Sequence, residues 1–179
     1  ALSYTSGVDV RQRGLNGMQA DIGIRGGSFE QTLILVNGFK MVDPQTGHHS
    51  MNIPFTVNAI DQIEITKGPA TQMFGQSALA GAVNFVSNLS GKTFVKAQSY
   101  AGSFGTAGIN VTMSAPIKGW GQKLSMGFDR SNGHWSNSDF DNKQISYEGG
   151  KTFKKQYLLV MLADPIWRKR LKKNLPKKF

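Results

Sequence analysis

The chain has 179 residues, 39% of them hydrophobic, with 21 glycines, 11 phenylalanines and a formal net charge of +10, a composition that excludes disorder and allows a buried core in one or two domains. It has no cysteine, which excludes a disulfide scaffold, thiolate zinc sites and cysteine nucleophiles. The longest uninterrupted apolar run, Tyr157 to Ala163, is far short of the ~18 residues of a membrane helix, although β-barrel strands, short and only alternately apolar, are not excluded.

In chain order, "ALSYTSGVDVRQRG" places Leu2, Tyr4, Val8 and Val10 as a short helix followed by a strand that ends at a glycine. "IGIRG" and "TLILVNGFKM" read as strands, the second interrupted by Asn37-Gly38, a pair that favours a tight hairpin turn. The polar loop "VDPQTGHHSMNIP" follows, bracketed by Pro44 and Pro54, and "VNAIDQIEITKGP" predicts a brief helical turn running into a strand. Residues 1 to about 88 are thus expected to form a compact α+β unit, with "KGPATQMFGQSALAGAVNFVS" as its glycine-punctuated end. From Lys92 onward the pattern changes to period two. "AGINVTMSA" sets Ile109, Val111 and Met113 against Asn110, Thr112 and Ser114, and "KLSMGFDR" repeats this with Leu124, Met126 and Phe128. "KTFVKAQSYAG" and "KQISYEGGK" are weaker versions, and "QYLLVMLA" is a fifth strand without alternation. Five such segments with short connections predict an antiparallel meander, whose apolar side must face a second layer or lipid.

Motifs of chemistry are missing. There is no GxxxxGK[ST] phosphate cradle, "GIRGGSF" lacks GxGxxG spacing, and neither a GxSxG elbow nor an HExxH helix occurs. The adjacent pair His48 and His49 would point to opposite sides of a strand, so solvent or ligand contact is favoured over metal ligation. "SDFDN" spaces Asp139 and Asp141 like a calcium loop but lacks the glycine and closing glutamate of an EF-hand, which favours a solvated loop. Trp120, Trp135 and Trp167 fit either interfacial anchors or ordinary packing. The net charge is concentrated at the end of the chain: Ile166 to Phe179 holds seven basic residues and no acid, leaving 14 basic against 11 acidic groups elsewhere. Such a tail attracts nucleic acid or anionic lipid by charge alone. It equally fits a solvated terminus, or a change of reading frame near Ala163.

The ordered motifs "DIGIRG", "LILVNGFKMVD" and "IPFTVNAIDQIEITKGPATQMFGQSALAGAVNFVS" resemble the plug domain of TonB-dependent outer-membrane receptors, whose pattern is an RG turn, a "lvDG" strand and "IerIEvlrGPasalyGsgAlgGvInivt". The resemblance covers about residues 1 to 88 and picks out Arg25, Gly26, Asn37, Gly38, Glu64, Gly68, Pro69, Gly75 and Gly81. Asn37 stands where the family commonly has aspartate, Phe74 where it has tyrosine, and Ala80-Gly81 where it has a glycine pair. "AGSFGTAGINVTMSAPIKGWGQKLSMGFDRSNGHWSNSDF" is similar, less specifically, to the family's first barrel strands, with Ile109, Val111, Met113, Leu124, Met126 and Phe128 as their lipid face.

What the resemblance implies is an α+β plug over residues 1–88, an antiparallel β-meander over 89–163 that is the incomplete start of a 22-stranded transmembrane β-barrel, and a basic tail over 164–179 outside the fold. The implied function is active uptake of a scarce nutrient such as a siderophore, cobalamin or glycan, with a tilt toward the cobalamin-receptor branch. The implied partners are the TonB complex of the inner membrane, the nutrient and outer-membrane lipid, with no nucleic acid, and the implied location is the outer membrane of a Gram-negative bacterium. Gln45, Thr46, His48 and His49, in the loop after the Asn-Gly strand, are the expected substrate contacts at the plug apex. Arg25 and Glu64 are expected to contact the barrel or each other. Neither a cofactor, a metal nor a catalytic residue is implied. The chain starts at Ala1 with no charged and apolar leader, so a signal peptide is expected to be absent or already removed. Five strands cannot close a barrel, so the expectation is an N-terminal receptor fragment that does not transport alone. A soluble plug-like binding or signalling module is the alternative.

Overall fold

The structure, a computed structural model, describes residues 2–12, 20–41, 53, 55–89, 92–134, 138–153 and 156–168. The chain divides into two units, one made of Ala1–Ile53 with Ala59–Asn88, the other of Pro54–Asn58 with Leu89–Phe179.

In the first unit a 3-10 turn, Leu2–Tyr4, leads into β1 (Val8–Gln12), which pairs antiparallel with β2 (Ala20–Ile24). After a second 3-10 turn, Phe29–Gln31, β3 (Thr32–Val36) turns back through Asn37-Gly38 into β4 (Phe39–Lys40). The expected helical turn before the next strand is the 3-10 turn Val57–Ala59, whose first two residues are counted with the second unit, followed by β5 (Gln62–Lys67). A single α-helical turn, α1 (Thr71–Phe74), and β6 (Gly81–Val86) complete the unit. The last four strands form one sheet in the order β4-β3-β6-β5, with β3 and β6 parallel. A continuous apolar run explains the position of β3: all five of its residues are buried, as expected of a strand covered on both faces. Leu33 and Leu35 pack with Ala70, Ala78 and Ala82, and half-buried Phe74 closes that cluster. β5 behaves oppositely, with Ile63 and Ile65 half-buried and Glu64 exposed between them.

The second unit contains five strands in sequential antiparallel order: β7 (Phe94–Ala101), β8 (Ala107–Ile117), β9 (Trp120–Ser131), β10 (Phe140–Phe153) and β11 (Gln156–Arg168). All five expected strand segments are present, but two boundaries differ. β10 starts at Phe140, so Asp141 belongs to a strand and not to the loop read from "SDFDN". β11 continues past Ala163 to Arg168, which pairs with Asp141. The backbone ladder with β10 carries the strand into the stretch expected to be tail, because pairing does not require β11 itself to alternate. Residues 169–179 lie outside the described residues.

Candidate functional site

The Asn37-Gly38 turn is the organising element of the first unit. Both residues take positive φ, 50° and 80°, the conformation of a two-residue hairpin turn that Asn-Gly adopts with least strain. The Asn37 side chain does more than tolerate the turn: its Oδ1 accepts the Ser87 N–H at 2.8 Å, while its own N–H donates to the Phe85 carbonyl at 2.9 Å. The Gly38 N–H donates to Asn84 Oδ1 at 3.0 Å, and Asn84 Nδ2 donates to Glu64 Oε2 at 2.9 Å. Gln62 Nε2 donates to the other Glu64 oxygen at 3.3 Å. A polar chain therefore runs from the hairpin across β6 to β5. Sequence reasoning missed Asn84, although its signal was there: it is the sole polar side chain in the run "GAVNFV". Glu64 is thus held by Asn84 and Gln62, and among the described residues it forms no ion pair with Arg25, one of the two contacts expected of these charges. Arg25 (φ 49°) and Gly26 (φ 79°) form a separate turn in which the Arg25 N–H donates to the Gly7 carbonyl at 2.8 Å.

Gly81 has the tightest surroundings of the motif glycines. Its φ is 151°, and a Cβ there would meet the Thr66 carbonyl oxygen and, at 2.8 Å, Ile24 Cδ1, so this position needs a residue without a side chain. The other motif residues occupy turns and ends. The Gly68 N–H donates to the Ala80 carbonyl at 2.9 Å, exposed Pro69 precedes α1, and the Gly75 N–H ends α1 by donating to the Thr71 carbonyl at 2.7 Å. Gln45, Thr46, His48 and His49 lie outside the described residues.

The second unit is inverted relative to a water-soluble sheet. Antiparallel register aligns Val95, Met113, Leu124 and Tyr147 in one row, and Ala97, Val111, Met126 and Ile145 in the next. On this face Met113 is 41% exposed, Met126 38%, Ile145 47% and Val95 66%. Thr112, Ser114, Lys123, Ser125, Ser146 and Glu148 lie on the other face, and every one is buried. Lys123 and Glu148 are directly opposite in register, a favourable placement for unlike charges. Thr112 Oγ1 donates to Ser125 Oγ at 3.3 Å. The segment Pro54–Asn58 belongs to this unit, and a Cβ on Gly127 would meet Thr56 Cγ2 at 2.7 Å, which puts Thr56 against the polar face. Nearer the 102–106 connection, the Tyr100 ring lies over Gly108 and Tyr100 Oη donates to Asp129 Oδ1 at 2.7 Å.

Among the described residues no three His, Cys, Asp or Glu side chains gather as a metal site, and no helix is long and apolar enough to cross a membrane, which has no bearing on strands. The arrangement offers a backbone-rich, hydrogen-bonded core in one unit and, in the other, a wall polar on its buried face and apolar on its exposed face.

Comparison with known proteins places these features. Residues 1–82 match the TonB-dependent Receptor Plug Domain family. The vitamin B12 transporter BtuB of Vibrio vulnificus (strain CMCP6) is 32% identical over 134 residues, covering 74% of this chain and 22% of that protein. BtuB of Vibrio cholerae serotype O1 (strain M66-2) is 33% identical over 86 residues, 48% of this chain and 14% of the relative. The chain therefore spans about a fifth, or less, of the curated relatives it matches. Among solved structures, the copper transporter OprC superposes with a TM-score of 0.73 at 22% identity, over 92% of this chain and 28% of OprC. The unliganded ferric citrate transporter FecA gives 0.70 at 17% identity, with the same two coverages. At these identities the structures bear on the fold alone.

Proposed function

Because residues 1–82 belong to the plug-domain family of TonB-dependent receptors, we infer that this chain supplies the plug and the first barrel strands of an outer-membrane receptor for active nutrient uptake. The observation that carries the reading is the inverted sheet. In water, apolar side chains turn inward; in β8 to β10 the buried face is Thr112, Ser125, Ser146 and their neighbours, and the exposed face is Met113, Met126 and Ile145. That alternation suits a wall with lipid on one side and a polar lumen on the other. In the complete receptor, further strands close the wall, to 22 in the family pattern, and so satisfy the edges β7 and β11.

In this reading the plug's work is to block and rearrange, not to catalyse. The inner-membrane TonB complex supplies the energy, and Gln45, Thr46, His48 and His49 contact substrate at the plug apex. The cargo class is a large scarce nutrient, cobalamin being favoured over siderophores by the BtuB relatives. The cell location is the outer membrane of a Gram-negative bacterium.

The test substitutes arginine at Met126 and Ile145, adjacent in register on the exposed face. For a lipid-facing wall each arginine costs about 2–4 kcal/mol near the bilayer midplane, so the receptor carrying both is lost from the outer-membrane fraction while arginine at exposed Lys96 is tolerated. A soluble plug-like module predicts the reverse: better solubility and unchanged recovery in the periplasm.

A further inference from the structure

The exposed apolar face of the second unit ends in positive charge. Arg130 of β9 and Lys143 of β10 stand on that face in adjacent rows, where the strands meet the connections 102–106 and 132–139. Both are exposed. Lys143 Nζ lies 5.6 Å over the ring of Phe128, and Arg130 makes no ion pair among the described residues. Asp141, the one acid in these rows on β7 to β10, stands opposite Arg130 in register without engaging it, and its Oδ1 is buried without a hydrogen-bond partner. Arg168 takes the next register position beyond Asp141. At the far border of the same face, Lys151 Nζ lies 5.9 Å over Trp120.

Between these borders the positions of this face on β7 to β10 carry no charge. The stretch from Trp120 to Phe128 is about 27 Å along the strand and, at the usual tilt, about 20 Å across, close to the apolar band of an outer-membrane barrel. A lysine above an aromatic ring at each border fits the way long basic side chains keep their charge at headgroup level over an apolar stem. The two borders differ in what adjoins them. The Lys151 end meets connections of two residues, 118–119 and 154–155, and the Arg130 end meets the longer ones. In outer-membrane barrels the longer connections face outward.

We propose that Arg130 and Lys143 form a docking site for the phosphorylated headgroup of an outer-leaflet lipid, whose acyl chains lie along Phe128, Ile109 and Val111. The site rests on the membrane reading given above. An exposed guanidinium offers a fork matched to phosphate oxygens, and the neighbouring ammonium adds a second charge. Lipid is favoured over an acidic protein because the surface directly below the charges is aliphatic, where a protein partner would need a polar rim.

Flotation measures this directly. The full chain is refolded in detergent and mixed with phosphatidylcholine vesicles carrying a minor fraction of lipid A, either bis-phosphorylated or dephosphorylated. The expected result is a preference for the phosphorylated vesicles that falls about 25-fold in R130Q/K143Q, about fivefold per charge near an anionic surface. K177Q/K178Q, which removes the same charge from the basic C-terminal segment, serves as the control and is expected to keep the parent's preference for the phosphorylated vesicles. An equal fall in both variants, or none in R130Q/K143Q, overturns the site and leaves the membrane reading standing. Failure to float with any vesicle, plain phosphatidylcholine included, overturns both.

Discussion

Replacing Gly81 with alanine tests whether the plug sheet depends on one missing side chain. The position lies in β6, between Thr32 of β3 and Lys67 of β5, and two penalties add there. A φ of 151° is a region left almost entirely to glycine, and forcing another residue into it costs about 1–3 kcal/mol. The new Cβ also meets the Thr66 carbonyl oxygen and the Ile24 side chain. Neither yields easily, since Thr66 is fixed by its β5–β6 register with Ala82 and Ile24 is fully buried, so overpacking adds about 1–3 kcal/mol. The total, about 2–6 kcal/mol, speeds exchange through local opening about 30-fold or more. The assay is peptide-resolved hydrogen exchange on the full chain, which reads β3, β5 and β6 strand by strand. Amides of β3, β5 and β6 are expected to accelerate, and those of β8 to β10 to stay unchanged. If G81A alters exchange in β5 and β6 by less than about threefold, the close approach is relieved by movement that the packing argument excludes, and the reasoning fails.

The same assay grades the hairpin. Asn37→Asp keeps the acceptor for the Ser87 N–H and is expected within about 0.5 kcal/mol of the parent, whereas Asn37→Ala loses both that bond and the easy positive φ and costs about 2–3 kcal/mol. Gly38→Ala meets nothing within 4 Å, so only its φ is penalised and the cost is about 1 kcal/mol; a cost equal to that of G81A would contradict the separation of strain from crowding. Gly108→Val drives a side chain into the Tyr100 ring and is expected to break the Tyr100–Asp129 hydrogen bond, read as a loss of the near-ultraviolet tyrosine signal that Tyr100→Phe reproduces in part. Glu64→Gln keeps an acceptor for Asn84 and is expected to be mild, within about 0.5 kcal/mol, while Glu64→Ala hands this exposed bond over to water, loses the link from β6 to β5 and costs about 0.5–1.5 kcal/mol, again read by exchange.

What was legible in the sequence was local. Asn37-Gly38 announced its hairpin because the turn chemistry lies within two residues, and period-two alternation marked β8 and β9 because a strand's two faces are written directly into the chain. Alternation does not say which face is buried. Ile109 and Thr112 carry the same information whether the sheet encloses fat or water, and the family resemblance, not the periodicity, supplied the orientation. Non-local pairing was illegible for a similar reason: nothing near Thr32 marks Gly81 as its parallel partner. Boundaries failed where the signal faded, at the start of β10 because Asp141-Asn142-Lys143-Gln144 is polar throughout and shows no alternation, and at β11 because an apolar run does not show where pairing stops. The network through Asn84 to Glu64 was missed because one asparagine in a strand is an ambiguous mark until its partners are known.

The parallel pairing of β3 with β6 also sets a schedule for the chain as it is made. The β3–β4 hairpin can close as soon as Lys40 has emerged, but it then offers Leu33 and Ile34 along an open edge. That edge waits for β6, the last strand of its sheet to be synthesised, to arrive across an intervening loop of more than forty residues whose closure is entropically slow. The meander that follows needs only neighbours. A nascent chain therefore holds an adhesive strand for the whole interval between Val36 and Val86, and any holding factor that protects it has its target there.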